Sequence, residues 1–277
     1  MLDKLERIAI EAGMLIAQIR EAGANVMTKS DGSPVTDADQ AAEELIVRAL
    51  QTIAPDIPII AEESAASCAA DLSTYSKLFF VDPLDGTKEF VRGRPDYTVN
   101  ICLVENRKPK LGVVFAPARG ELFSSDGSAS FRSTILQDAS IGERSQIRAS
   151  CGGGRLTAVA SASHGNVETE DFLQKLPVDR KVSVGSSLKF CLVAMADAHI
   201  YPRFGRTMQW DTAAGDAVLR GAGGCTLTSD GRELEYGIPC ATDGSYDNPH
   251  FISYGGDVET LRGLLQNCDL NPAPAAP

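Results

Sequence analysis

The densest chemistry in the chain lies in DPLDGTKEF, residues 82–90. The apolar run LFFV leads into Asp82, Pro83 restrains the backbone, and Asp85 follows at i+3. A tight turn there can aim two carboxylates and the intervening Leu84 carbonyl at one point. Oxygen donors crowded in this way suit a hard cation such as Mg²⁺. Gly86 and Thr87 then open a short helical stretch whose N–H groups would cradle a phosphate. Read alone, the segment fits a solvated Asx-type turn equally well. Further acids add weight: Glu62 and Glu63 after the apolar IPIIA, Asp39 at a helix entry, and Asp211 directly after Trp210 at the start of another helix. Singly each reads as a helix cap or a surface charge; the combination is what points to a metal centre.

The second half of the chain offers positive charge. Gly185, Ser186 and Ser187 precede a helical segment with Lys189 one turn on, a second helix entry that could hold an anion. Arg203 and Arg206, in YPRFGR, stand close in sequence to Asp211. Lys and Arg are more often solvated surface charges, and His164, in SASH, reads equally as an ordinary loop histidine.

These residues need elements to position them. Leu2, Leu5, Ile8, Ala9, Ala12, Leu15, Ile16 and Ile19 recur at helical spacing, so the first twenty residues form an amphipathic helix. Thr36 and Asp39 stand three apart before the stripe Ala42, Leu45, Ala49 and Ile53, close to a capping-box entry that puts Asp39 in a first helical turn. IPIIA and KLFFVD are short apolar runs that end in acids, as buried strands delivering carboxylates would. YTVNICLVE, KLGVVFA and ELFSS, separated by turns at ENRKP and PARG, read as a meander. Helices followed by an antiparallel sheet predict an α+β unit over residues 1–151. The run CGGGR marks a linker, or a tight loop within one domain. Beyond it, LTAVASAS, VSV, AHIYPRF and CTLTS alternate with helical SLKFCLVAMADA and TAAGDAVLRGA, which predicts an α/β unit over residues 155–268. Gly223 and Gly224 close the last helix. The terminal stretch, residues 269–277, has nothing to pack and reads as a frayed tail.

Composition narrows the function. At 277 residues with 43% hydrophobic residues the chain can bury a sizeable core. Its 26 Lys and Arg against 37 Asp and Glu give a formal net charge of -11, which argues against nucleic-acid binding through basic surface. The seven cysteines include no CxxC pair, so a reducing compartment is the expectation. The charged residues scattered through the amino-terminal segment leave no signal-peptide core and no membrane span. A cytoplasmic protein follows, with peripheral association at the inner membrane left open.

AEES, DPLDGT and WDTAAG, in order and spacing, resemble the Mg²⁺-dependent, Li⁺-sensitive phosphatases related to inositol monophosphatase. KSDGSPVTDAD, DPLDGTKEF, and GSSLKFCLVA with YPRFG are similar to the CysQ-type 3'(2'),5'-bisphosphate nucleotidases in particular. The similarity runs from about residue 2 to residue 254. It implies a layered αβαβα sandwich of the inositol monophosphatase and sugar phosphatase type, and two or three Mg²⁺ ions. Glu62, Asp82 and the Leu84 carbonyl would bind one ion, with Asp82 bridging to a second held by Asp85 and Asp211. Asp39 and Thr87 would orient the attacking water, and Glu63 would support a ligand from behind. Ser186, Lys189 and Arg203 would contact the sugar and 5'-phosphate of an adenosine bisphosphate, with His164 against the adenine. The implied reaction converts 3'-phosphoadenosine 5'-phosphate to AMP and phosphate, clearing a by-product of sulfate assimilation. A rival is a phosphatase of the same superfamily acting on inositol monophosphate or fructose 1,6-bisphosphate, against which Lys88, Glu89 and GSSLKFC weigh. Another, from a different class, is a catalytically silent metal or nucleotide sensor, which would not require the Asp39 and Thr87 pair.

Overall fold

Helical periodicity in the first fifty residues resolves into α1 (Leu2–Ala22) and α2 (Asp37–Ile53). The computed structural model describes residues 1–29, 32–65, 75–161, 166–240 and 243–268. On α1 the stripe Leu5, Ile8, Ala9, Ala12 and Ile16 is buried. A hairpin of β1 (Val26–Thr28) and β2 (Pro34–Thr36) joins the two helices. Thr36 caps α2: its hydroxyl accepts the Ala38 N–H at 3.2 Å, while its own N–H donates to Asp39 Oδ2 at 2.7 Å.

The apolar runs that follow form β3 (Ile59–Ala61) and β4 (Lys77–Asp85), then, after the one-turn α3 (Thr87–Val91), the meander β5 (Thr98–Glu105), β6 (Lys108–Ala116), β7 (Glu121–Ser125), β8 (Ser130–Ile135) and β9 (Ile141–Ile147). They make a seven-stranded sheet in sequence order, with β3 and β4 parallel and the other neighbours antiparallel. Between β9 and β10 lies the glycine run, with a 3-10 turn at Gly152–Gly154. A five-stranded sheet follows from β10 (Leu156–Ser161), β11 (Val178–Val184), β12 (Ile200–Arg203), β13 (Cys225–Thr228) and β14 (Phe251–Tyr254), in the order β11-β10-β12-β14-β13. Its helices are α4 (Val167–Gln174), α5 (Leu188–Ala194), α6 (Gln209–Gly221) and α7 (Val258–Asn267). Gly223 and Gly224 terminate α6 by donating to the carbonyls of Arg220 and Leu219.

Alternation along β4 to β7 sends side chains to two cores. Phe79, Val81, Val99, Ile101 and Phe115 pack under α1 and α2. Phe80, Cys102, Val114 and Phe123 face the other way, onto Phe190 of α5 and Ala213 and Ala217 of α6, whose far side meets Val159, Tyr201 and Phe251 of the second sheet. A third core places Phe172 of α4 and Leu261 and Leu265 of α7 on the outer face of that sheet. The molecule is thus an αβαβα sandwich, as the resemblance implies. No described helix is long and apolar enough to cross a membrane. The tail at 269–277 lies outside the described residues.

One contact sets the height of α6 above the first sheet. A Cβ on Gly112 of β6 would lie 2.5 Å from the Ala214 carbonyl oxygen and 2.5 Å from the Ala217 Cβ, closer than atoms pack. Helix and strand backbones touch there. Gly112→Ala should therefore destabilise the fold by about 1–3 kcal/mol, read as a lower midpoint in urea denaturation; an unchanged midpoint would mean that α6 does not rest on this strand.

Candidate active site

The end of β4 departs from regular pairing. Asp82 lies across from Asn100 on β5, and Asp85 across from Thr98, so three steps on β4 match two on β5. In a regular strand residues three apart point to opposite faces. The extra residue makes a bulge that returns Asp85 to the face of Asp82, and Pro83 sits inside it, a residue with no N–H to lose from the ladder. Both carboxylates then face the helical layer of α5 and α6. Leu84 N–H donates to Asp82 Oδ1 at 3.0 Å. Gly86 leaves the strand at φ 91°, where a Cβ would come within 2.8 Å of the Asp96 carbonyl, so only glycine serves.

Other elements bring their acids to the same place. Glu62 follows β3, Asp211 lies in the first turn of α6, and carboxylate oxygens of Glu62, Asp82 and Asp211 all lie within 4.8 Å of one another. Asp211 Oδ2 accepts the Met208 N–H at 2.8 Å, which fixes its orientation. Asp85 joins through Ser187, whose Oγ lies 3.1 Å from Asp85 Oδ2 and 2.6 Å from the Asp211 carbonyl. Asp39 Oδ2 takes both the N–H and the hydroxyl of Thr36, at 2.7 and 2.6 Å. Its Oδ1 faces Thr87 Oγ1 at 3.1 Å, and the same hydroxyl is 3.1 Å from the Leu84 carbonyl oxygen. The structure thus gathers Asp39, Glu62, Asp82, Leu84, Asp85, Thr87 and Asp211 around one point.

Burial and mutual repulsion make this cluster a poor host for bare negative charge. Burial lifts Asp82 well above the usual carboxylate range, helped by Glu62, Asp85 and Asp211. Asp211 rises for the same reason, with Asp85 and Glu62 adding to it. Glu62 is pushed up to about 7, mainly by burial and against the pull of Lys29. Burial also raises Asp85, opposed by Lys189 and Ser187, and raises Asp39, opposed by Thr36. These shifts all favour the protonated forms, whereas a hard divalent ion would favour the ionised ones and satisfy an all-oxygen donor set. The residues present fit such an ion.

Sequence reasoning did not single out Lys29. Its ammonium lies 2.8 Å from Glu62 Oε1 and 2.7 Å from Glu63 Oε1, and the Glu63 N–H donates to Glu43 Oε2 at 2.8 Å. Glu63 stands beside the triad. Lys29 opens KSDGSPVTDAD, one of the segments that carry the resemblance, but nothing in sequence tells which acid a flexible lysine will reach.

Glu62, Asp82, Asp85 and Asp211 line a cleft of about 420 Å³ whose lining also includes Gly86, Ser186, Lys189, Tyr201, Arg203 and Arg206. Ser186 has φ 53°, a left-handed conformation uncommon for serine. Lys189 Nζ donates to the Ser186 carbonyl at 2.6 Å and lies 5.6 Å from the Tyr201 ring centroid. Burial brings its pKa down to about 8, opposed chiefly by Asp85. Arg203 donates through Nη2 to the Arg206 carbonyl at 2.9 Å, while its buried Nε has no hydrogen-bond partner among the described residues. α3 and α5 span only five and seven residues. His164 lies outside the described residues.

Comparison with known proteins places this geometry. The inositol monophosphatase family model matches residues 1–253. The protein named 3'(2'),5'-bisphosphate nucleotidase CysQ in Escherichia coli is 40% identical over 238 residues, covering 85% of this chain and 94% of the relative. A crystal structure of CysQ from Bacteroides thetaiotaomicron matches with TM-score 0.76 and 33% identity, over 92% of this chain and 97% of that one. The Thermotoga maritima IMPase matches with TM-score 0.72 and 25% identity, over 97% and 96%.

The raised carboxyls make a test of sign. An acid whose pKa is higher folded than unfolded binds a proton that the unfolded chain has lost, so stability falls as pH climbs between the two values. For Glu62 that window runs from 4.5 to about 7, and Asp82 and Asp211 act in the same direction. Chelated protein should melt at a lower temperature near pH ~7.5 than near pH ~5.5, with saturating Mg²⁺ removing much of the slope. A melting temperature that rises across this interval in chelator would contradict the clustering.

Proposed function

The chain belongs to the inositol monophosphatase family, and from that premise we propose that it is a 3'(2'),5'-bisphosphate nucleotidase that converts 3'-phosphoadenosine 5'-phosphate to AMP and phosphate. The observation that carries this reading is a single cleft lined by both a carboxylate cluster and the cations Lys189 and Arg203. A substrate with two phosphates can present one to each. The 40% identity to relatives of that name, over most of both chains, supports the same substrate class.

In this reading Glu62, Asp82, Asp85, Asp211 and the Leu84 carbonyl would hold two or three Mg²⁺ ions. When bound, these would neutralise phosphate charge, make a water acidic enough to attack near neutral pH, and stabilise the departing oxygen. The protein's own groups supply geometry. Asp39, immobilised by Thr36, would take one proton from the attacking water, and the Thr87 hydroxyl, which donates to Asp39, would accept a hydrogen bond from that water, so that its lone pair aims at phosphorus, opposite the ester oxygen. The N–H groups at Gly86 and Thr87 would hold phosphate oxygens, and Glu63, through Lys29, would steady Glu62 from behind. As the water oxygen bonds to phosphorus the bond to O3' breaks, and that oxygen takes a proton from solvent in place of the one the attacking water gave up, leaving AMP and phosphate. Ser186 would touch the sugar, Lys189 and Arg203 the 5'-phosphate, and His164 the adenine. The role would be clearing a by-product of sulfate assimilation in the cytoplasm, with inhibition by Li⁺ where Mg²⁺ normally binds.

Phosphate release assayed in parallel on 3'-phosphoadenosine 5'-phosphate, inositol 1-phosphate and fructose 1,6-bisphosphate tests the assignment. The first should be preferred, yield AMP by chromatography, require Mg²⁺ after chelation, and fail in Li⁺. Preference for inositol 1-phosphate would move the chain elsewhere in its family.

The cation wall has its own test. If Lys189 and Arg203 each make a charge-assisted bond to the 5'-phosphate, worth about 1.5–3 kcal/mol, then Lys189→Ala and Arg203→Ala should each lower kcat/KM roughly 10- to 150-fold. With a 3'-mononucleotide that lacks the 5'-phosphate, the same changes should matter little. Equal losses on both substrates would reassign the two cations to support of the metal centre.

A further inference from the structure

We infer that Asn100 and Thr98 on β5 are positioning residues for the cation-binding acids, donating from behind to Asp82 and Asp85 respectively; the assignment rests on the metal reading given above. Asn100 is 1% exposed and Thr98 is 0% exposed. Neither Oδ1 nor Nδ2 of Asn100, nor Oγ1 of Thr98, has a hydrogen-bond partner among the described residues. Such groups destabilise a fold, and buried polar atoms in native proteins are nearly always satisfied. An apolar side chain of similar size would pack there at lower cost.

Their placement is not random. Along this face β5 runs Thr98, Asn100, Cys102, Val104, and the last two sit in the apolar middle core. The strand turns polar where the acids begin. Across the sheet the bulge sets Asn100 directly opposite Asp82 and Thr98 directly opposite Asp85. Directly opposed residues of an antiparallel pair have Cβ atoms about 4.5–5.5 Å apart on a shared face, within reach of an amide or hydroxyl hydrogen bond. Asp82 takes one backbone N–H, from Leu84, and Asp85 the Ser187 hydroxyl, and an ionised carboxylate can accept about four hydrogen bonds or cation contacts. A carboxylate fixed by a cation on one oxygen turns the other toward a donor behind it, and donors in that position orient the ligand. Asn100 and Thr98 supply them.

The isosteric changes Asn100→Leu and Thr98→Val remove the donors without opening space. In calorimetric titration of the full chain with Mn²⁺ alone, each should weaken binding by about 10- to 100-fold, while the melting temperature in chelator holds or rises because an unsatisfied group is gone. Thr98→Ser keeps the hydroxyl and should keep wild-type affinity. If Asn100→Leu does not fold, the Thr98 pair alone decides. Wild-type affinity in the variants, or a lower metal-free melting temperature with affinity intact, would overturn the assignment and leave these residues structural. Failure of the wild-type chain to take up Mn²⁺ is a different result, which would overturn the metal reading beneath it.

Discussion

Carboxylates that converge in a buried cleft repel one another and lose hydration together, so they stay close only where a rigid frame holds them against both effects. Here the frame has three parts. β3 and β4 carry Glu62, Asp82 and Asp85 out of a seven-stranded sheet packed on both faces. Helix α6 brings Asp211 from the layer above, at a height set by backbone contact with Gly112. Helix α2 holds Asp39 by a cap that uses one of its oxygens and leaves the other facing Thr87. Each part is built from apolar periodicity and ordinary capping chemistry. The acids ride on its ends, and burial there pushes each of them toward its protonated form.

The site also joins the two sheets. Ser187, just before α5, touches both Asp85 of the first sheet and the backbone of Asp211, while its neighbours Ser186 and Lys189 line the cation side of the cleft. One hydroxyl therefore ties the groups suited to a metal to the groups suited to an anion. The left-handed backbone at Ser186 costs stability in a residue other than glycine, and it persists in a loop pressed against the first half of the chain, where a Cβ on Gly185 would come within 2.9 Å of the Asp96 carbonyl.

Much of this was legible in sequence because the signals were local. The stripe of α1, the capping residues of α2, the meander and the helices α5 and α6 all lie where periodicity and turn chemistry put them. The acids were legible because DPLDGT is dense and the other carboxylates fall at element ends. Elements without a clean period escaped: β9 is largely exposed on both faces, α4 spans only eight residues, and β1 is exposed throughout. Long-range pairings escaped too. Nothing near Lys29 names Glu62, thirty-three positions away, and nothing near Ser187 names Asp85. The spacing of Asp82 and Asp85 suggested a turn converging on one point; the structure reaches the same convergence through a bulge in a continuous strand, which no composition rule announces.

That bulge is not needed to bring the two carboxylates to one face. Take one residue from between Asp82 and Asp85 and two steps on β4 would match two on β5, so the acids would share a face as residues two apart in any regular strand do. What the shorter strand would lose is one of the two residues between them: either the proline that leaves the ladder, or Leu84, whose carbonyl oxygen stands 3.1 Å from the Thr87 hydroxyl. The extra peptide unit therefore serves the backbone oxygen and not the side chains, and it makes a main-chain atom, which no substitution can remove, a member of the donor set.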